Sequence, residues 1–175
     1  MTKLLTPIPD HLRKNLSILF VGFNPSICSS ETGHHFANPN NRFWKILHEA
    51  NLTPRKLLPE EDRQLLEFGY GLTNIVSRPT KEAAEITKVE YEQGRKLLFK
   101  KISFYKPKLI CFVGKGVYQE FSKQKKVNWG LQENSVTDAF EFVAPSSSGL
   151  VRMKQNEIVE IYSRIHNVIN ADEEE

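Results

Sequence analysis

The chain reads as an α/β protein, a three-layer αβα sandwich around a mainly parallel sheet of four to five strands. Two observations predict this. Short apolar runs at 18–22, 71–76, 109–113 and 140–144 lack the alternation of strands with one wet face, so they read as strands buried on both faces. Helix-like segments separate these runs, and strands joined by helical crossovers lie parallel because a right-handed crossover must cover an apolar face of the sheet. A length of 175 residues suits one domain with a real core. The expected division is a domain over 1–170 and an acidic tail over 171–175.

The elements follow in order. Ile18 to Gly22 is the first strand, and Asn24-Pro25 stands where it must stop. The next stretch, I-C-S-S-E-T-G-H-H-F-A-N-P-N, is small and polar without helical periodicity, and reads as a long loop. His34-His35 reads as two surface histidines, with no third metal ligand at a usual spacing. Asn38 is the expected cap of a helix beginning at Pro39, with Phe43, Ile46, Leu47 and Ala50 on one face. A short helix opens at Pro59 with acids in its first turn and stops at Gly69. The second strand follows at 71–76. Thr87 and Glu90 form a capping-box pattern that starts a helix at Lys88, running to about 103 with Tyr91, Leu98 and Ile102 inward. Leu109 to Val113 is the third strand, and G-K-G opens a helix containing Val117, Tyr118 and Phe121. The fourth strand, 140–144, precedes one final helix over about 154–169 with Ile158, Ile161, Ile165 and Val168 as its apolar stripe.

Composition excludes several classes. Hydrophobic residues at 39% and charged residues at 26% are ordinary for a globular protein. No apolar run approaches the roughly 20 residues of a membrane span, and the first residues lack a signal-peptide core, so an intracellular protein without a membrane partner is expected. Cys28 and Cys111 cannot supply a four-cysteine metal site or a disulfide framework, and Cys111 reads as core. The net charge of +3 permits a polyanionic partner without demanding one. Ten basic residues between Arg95 and Lys126 face a single acid, Glu120, and form either a solvated face or a phosphate-attracting surface. The G-K-G lacks the third glycine of a dinucleotide fingerprint, Gln119 standing in its place, and there is no Gly-Lys-Ser/Thr phosphate loop.

Chemistry concentrates at two places. In open parallel sheets, ligands bind at the carboxyl ends of the strands. Asn24 would sit at that edge, with Pro25 pushing it toward an extended conformation, although Asn-Pro also suits an ordinary turn. The fourth strand empties into P-S-S-S-G-L-V-R-M at the same edge, which offers Ser146, Ser147 and Ser148 as hydroxyls for phosphate oxygens. Leu150 in that loop either wedges into a base stack or folds back on the core. Lys115, at a helix N-terminus, is placed to meet a phosphate.

The motifs G-F-N-P, T-G-H-H-F, N-P-N-N-R-F-W, G-L-T-N-I-V-S-R-P-T, V-G-K, N-W-G and P-S-S-S-G-L-V-R occur in this order over nearly the whole chain. In this set the chain resembles the mismatch-specific uracil/thymine DNA glycosylases, bacterial and vertebrate. It departs from the bacterial form at Ser26, where that form has Gly, and at Ala144-Pro145, where its wedge loop begins Asn-Pro; the triple serine is closer to the vertebrate form. The resemblance implies a uracil-DNA glycosylase fold and a monomeric, monofunctional enzyme without metal or other cofactor. It implies excision of uracil, and less readily of thymine, from G·U and G·T mispairs in double-stranded DNA. Such an enzyme belongs in the nucleus of a eukaryote or the cytoplasm and nucleoid of a bacterium.

Carried over by position, Asn24 would orient the attacking water, and the backbone around Phe23, beside Pro25, would hold a uracil carbonyl. Phe36 would stack on the flipped base, and Ser29 would face the position of the thymine methyl. Lys115 and Ser146 to Ser148 would contact the DNA backbone, Gly149 and Leu150 would fill the gap left by the base, and Arg152 would support their loop. Asparagine is neutral and cannot serve as a good general base, so the expected turnover is slow. A catalytically silent mismatch-binding module remains the rival reading, since it would use the same basic face and wedge.

Overall fold

The structure is a computed structural model that describes residues 4–173. Its centre is a five-stranded sheet in the order β2-β1-β3-β5-β4: β1 Ile18–Gly22, β2 Tyr70–Asn74, β3 Leu109–Val113, β4 Gly130–Leu131 and β5 Phe140–Ala144. The first four in that order are parallel, and β4 pairs antiparallel to β5 at one edge. The register matters most for the site. Gly22 lies opposite Asn74 and Val113 opposite Ala144, so the four long strands finish level and deliver their loops to one edge.

Strand pleating divides the core. Ile18, Phe20, Leu109, Cys111, Val113, Phe142 and Ala144 point to one face, covered by α2 (Phe43–Glu49), α5 (Gln155–Ser163) and the start of α6 (Ile165–Glu173). Leu19, Val21, Ile110, Phe112 and Val143 point to the other, covered by α3 (Lys88–Tyr105) and α4 (Lys115–Ser122). Among the described residues, no helix is long and apolar enough to cross a membrane.

Local chemistry explains most element ends. Thr87 Oγ1 accepts from Glu90 N–H while the Glu90 carboxylate accepts from Thr87 N–H, which starts α3 as the capping box predicts. The segment after Pro59 is a 3-10 helix, Pro59–Phe68, ended by Gly69 at φ 84°. Glu141, fully buried in β5, accepts hydrogen bonds from Tyr118 Oη and from Val136 and Thr137, and so moors the loop that leads into that strand.

Four expectations need correction. The supposed loop after β1 contains α1, Ile27–Thr32, capped by Ser26 Oγ accepting from Ser29 N–H and ended by Gly33 in the left-handed region. The helix expected from Pro39 begins at Phe43, because Asn38 Oδ1 turns to Asn40 N–H and it is Asn41 Oδ1 that meets Phe43 N–H. The final helix is two, broken at Arg164. The strand at Gly130–Leu131 was not anticipated in that place. Of the acidic tail, 171–173 continue α6, and 174–175 lie outside the described residues.

Gly94 lies inside α3, where glycine costs about 1 kcal/mol relative to alanine. A Cβ there would stand 1.9 Å from the Ile75 carbonyl oxygen, so the glycine lets α3 lie directly on the chain leaving β2. Gly94→Ala should therefore destabilise the protein by about 2–4 kcal/mol in urea unfolding, despite its gain in helix propensity.

Candidate active site

The chain leaving β2 forms a strap across the end of β1. Ile75 N–H donates to Gly22 O, Val76 N–H to Phe23 O and Thr80 N–H to Pro25 O. Arg78 ties the strap to the first turn of α3 through Glu90 at 2.5 Å. Against this strap Asn24 is held rigidly, since its Nδ2 donates to Arg78 O and to Thr80 Oγ1, both at 2.8 Å. The amide orientation follows from the partners. A backbone carbonyl only accepts, and the Thr80 hydroxyl spends its own hydrogen on Glu82 O at 2.8 Å. Both amide hydrogens are thus used, and Asn24 Oδ1 is left as an acceptor without a protein donor among the described residues.

Around Asn24 the strand ends build walls. A Cβ on Gly22 would meet Asn74 Oδ1 at 2.6 Å and Phe36 Cζ at 3.7 Å, which places the end of β2 and the loop after α1 beside the end of β1. Phe36 stacks on Phe43 with centroids 3.9 Å apart and is half-buried, so one ring face is occupied from within. Its φ of 50° lies in the left-handed region, a strained conformation for an aromatic residue. Pro25 is buried. The Phe23 ring turns away toward Tyr91 and Gly116, and the Phe23 carbonyl is taken by Val76. Ser29 is buried in α1, with its hydroxyl accepting from Ala37 N–H at 3.2 Å.

The loop after β5 reaches the same edge. Gly114, just before α4, comes near Ser146, and Gly149 lies against Asn40 so closely that a Cβ would stand 2.6 Å from the Asn40 carbonyl oxygen. Ser146 and Ser148 are half-exposed and cap their own turn, accepting from Ser148 N–H and Leu150 N–H. Ser147 is 1% exposed, so its hydroxyl is not offered to a strand lying on the loop, which corrects the expectation for that residue. Leu150 is 93% exposed and does not fold back on the core. The guanidinium that braces this loop belongs to Arg42, not to Arg152: it donates to Val151 O at 3.2 Å and Met153 O at 3.3 Å, while Arg42 N–H meets Ser147 O. Arg152 is exposed.

Lys115 is half-exposed at the start of α4, its ammonium 4.3 Å from the centre of the Trp129 ring. Several other residues of the basic run serve the fold. Arg95 donates to Phe121 O, Lys101 pairs with Asp10 and Lys123 with Glu92. A large groove lined by Phe99, Lys106 and Phe140 lies by the amino ends of β3 and β5, the edge opposite Asn24.

His35 departs from expectation. It is 2% exposed, donates from Nε2 to Pro9 O at 2.8 Å, and lies with His11 and Asp62 in one cluster. His34 stays half-exposed, bonded through Nδ1 to Asp62 Oδ1 at 3.3 Å. Burial pushes the His35 imidazole below its ordinary pKa, so it is neutral near pH 7. Burial alone would raise the Asp62 carboxyl, but the adjacent His11 imidazole and the bonds from the His35 backbone N–H and His34 outweigh it and hold the group at about 2.

Asn74, Thr80 and Arg42 escaped the assignment of roles from sequence. The stretch T-N-I-V-S-R-P-T did mark the strap as unusual, because it follows a strand that ends at the carboxyl edge.

A family model described as uracil DNA glycosylase superfamily matches residues 9–166. The fold is similar to a solution NMR structure of a candidate uracil DNA glycosylase from Methanosarcina acetivorans, with a TM-score of 0.61 over 93% of this chain and 98% of that one, at 20% sequence identity.

The pH dependence of stability should report the cluster. Because the Asp62 pKa is depressed on folding, its contribution is full above its ordinary value near 3.8 and is lost as pH falls toward about 2. Between pH 4.5 and 2 the wild type should lose about 2 kcal/mol more than Asp62→Asn in urea melts.

Proposed function

Because the chain belongs to the uracil DNA glycosylase superfamily, we propose that it excises uracil from DNA by hydrolysing the N-glycosidic bond. G·U mispairs are the favoured substrate and G·T mispairs a poorer one. The observation that carries this reading is the fixed Asn24 carboxamide, with both hydrogens spent and one bare oxygen at the carboxyl edge.

That geometry suits one task. Asn24 Oδ1 accepts a hydrogen bond from a water and points its oxygen at C1′ of the flipped nucleotide. As the C1′–N1 bond breaks, the base leaves with the electron pair as an anion and the sugar becomes oxocarbenium-like; the water oxygen then bonds to C1′ and releases its proton to solvent or the departing base. A neutral amide stabilises the cationic sugar less than a carboxylate would, so the barrier falls mainly by orientation and by donors aimed at the base. Phe36 offers the ring face that Phe43 leaves free for stacking. Thymine differs from uracil by one methyl, worth only about 1–3 kcal/mol unless it clashes, so the preference is one of degree.

The loop over 145–153 supports the mispair preference. Leu150 stands out on a loop braced by Arg42 and fills the place of the extruded base, while the half-exposed Ser146, Ser148 and Lys115 receive the backbone phosphates. On this reading the protein acts as a monomer on double-stranded DNA, in whichever compartment holds it.

Single-turnover assays on duplexes with one G·U, A·U or G·T pair, and on single strands, test the proposal. Release should be fastest at G·U, and Asn24→Ala should slow it by about 100-fold or more; tight G·U binding without release would make the protein a mismatch binder instead. Leu150→Ala should slow release from G·U duplex roughly tenfold and leave single-stranded substrate unaffected, since only the duplex has a stack to refill.

A further inference from the structure

Three buried side chains from distant parts of the chain converge behind Phe36. His11, His35 and Asp62 are 9%, 2% and 2% exposed, and one candidate donor atom from each lies within 4.8 Å of the others. Each is already fixed. His11 exchanges both backbone hydrogen bonds with Leu72 of β2, His35 is anchored by its Nε2–H to Pro9 O, and the Asp62 carboxylate accepts the His35 backbone N–H at 2.9 Å.

A cation bound by this cluster would take the lone pairs left over. Pro9 O only accepts, so His35 Nε2 carries the hydrogen and Nδ1 carries the lone pair; a histidine whose other nitrogen donates to a backbone carbonyl has the orientation usual in metal sites. His11 Nε2 lies 3.2 Å from Asp62 Oδ2, close enough for an ion pair when the imidazole is protonated but outside hydrogen-bond geometry, and among the described residues this buried nitrogen has no hydrogen-bond partner. In a tetrahedral site with bonds of about 2.0–2.1 Å, neighbouring ligand atoms are about 3.3 Å apart, so this separation matches one edge of the tetrahedron. The remaining sides, none longer than 4.8 Å, would contract to the same length on binding.

We propose that His11, His35 and Asp62 form a structural site for a divalent first-row cation, Zn2+ by preference. Two imidazoles and one carboxylate suit zinc, with His34 or a water as the fourth ligand. The ion would tie the segment before β1, the loop carrying Phe36 and the 3-10 helix before β2 into one unit. It takes no part in the glycosidic step and rests on different residues from that reading.

The test uses tag-free protein stripped with chelator, then dialysed against zinc. About one equivalent should be retained, and at a hundredfold excess over Kd the Tm should rise by about 5–10 °C. Cobalt substitution should give the visible absorption of a four-coordinate ion. His11→Gln, melting in chelator like the wild type, should lose retention and the Tm rise. Zinc neither retained nor stabilising in the wild type would overturn the site, as would equal retention by His11→Gln. Should that variant fail to fold, the wild-type stoichiometry and cobalt spectrum decide alone.

Discussion

Both amide hydrogens of Asn24 are committed to the strap that leaves β2, and the site depends on that constraint. An asparagine side chain free to turn would present nitrogen and oxygen by turns, and its acceptor would have no fixed direction. Arg78 O and Thr80 Oγ1 remove the choice, because neither has a hydrogen to give. The aim of one oxygen is therefore set by residues more than fifty positions away in the chain, and it is only as good as the position of the strap.

The strap is positioned by the sheet and by one glycine. Parallel pairing of β1 with β2 brings Gly22 level with Asn74, so the two chains leave the sheet side by side and Ile75, Val76 and Thr80 can continue the ladder past its formal end. Gly94 then allows the backbone of α3 to press against Ile75 from outside, and the Arg78–Glu90 pair closes the far side. An exposed ion pair of this kind contributes little to overall stability, yet here it limits where the strap can go. Helix packing, sheet register and the direction of one carboxamide are linked through a few backbone contacts.

The sequence made the architecture legible because burial on both faces leaves an uninterrupted apolar signature: Leu109 to Val113 was readable to the residue. The Thr87–Glu90 capping box was equally plain, since its chemistry is local. Short or non-local features were harder. The helix α1 has only six residues and no apolar stripe, although Ser26 and Gly33 carried its capping signals. In N-P-N-N, Asn38 and Asn41 are both good capping residues by type, and only the tertiary path makes Arg42 the residue before the helix and Asn41 Oδ1 the acceptor of Phe43 N–H. The break at Arg164 lies within a continuous apolar stripe and has no proline or glycine to announce it. At the site, Asn24 could be picked out by its strand end, whereas Arg42 and the buried state of His35 depend on contacts across the fold that spacing does not encode.

The loop after β5 shows why such contacts matter. A leucine left 93% exposed forgoes roughly 2 kcal/mol of burial that the same residue would gain in the core. Packing does not explain that position, but a partner surface that buries Leu150 would. The gain on binding is largest if the loop is already ordered, because ordering a loop at the moment of contact cancels part of what burial contributes. Arg42 holds the Val151 and Met153 carbonyls, Ser148 Oγ accepts from Leu150 N–H, and Gly149 lies against Asn40. The exposed leucine is thus presented on a preformed turn. Under the glycosylase reading, much of the entropy of ordering that turn is spent in folding, leaving the burial of Leu150 to help hold the base outside the helix.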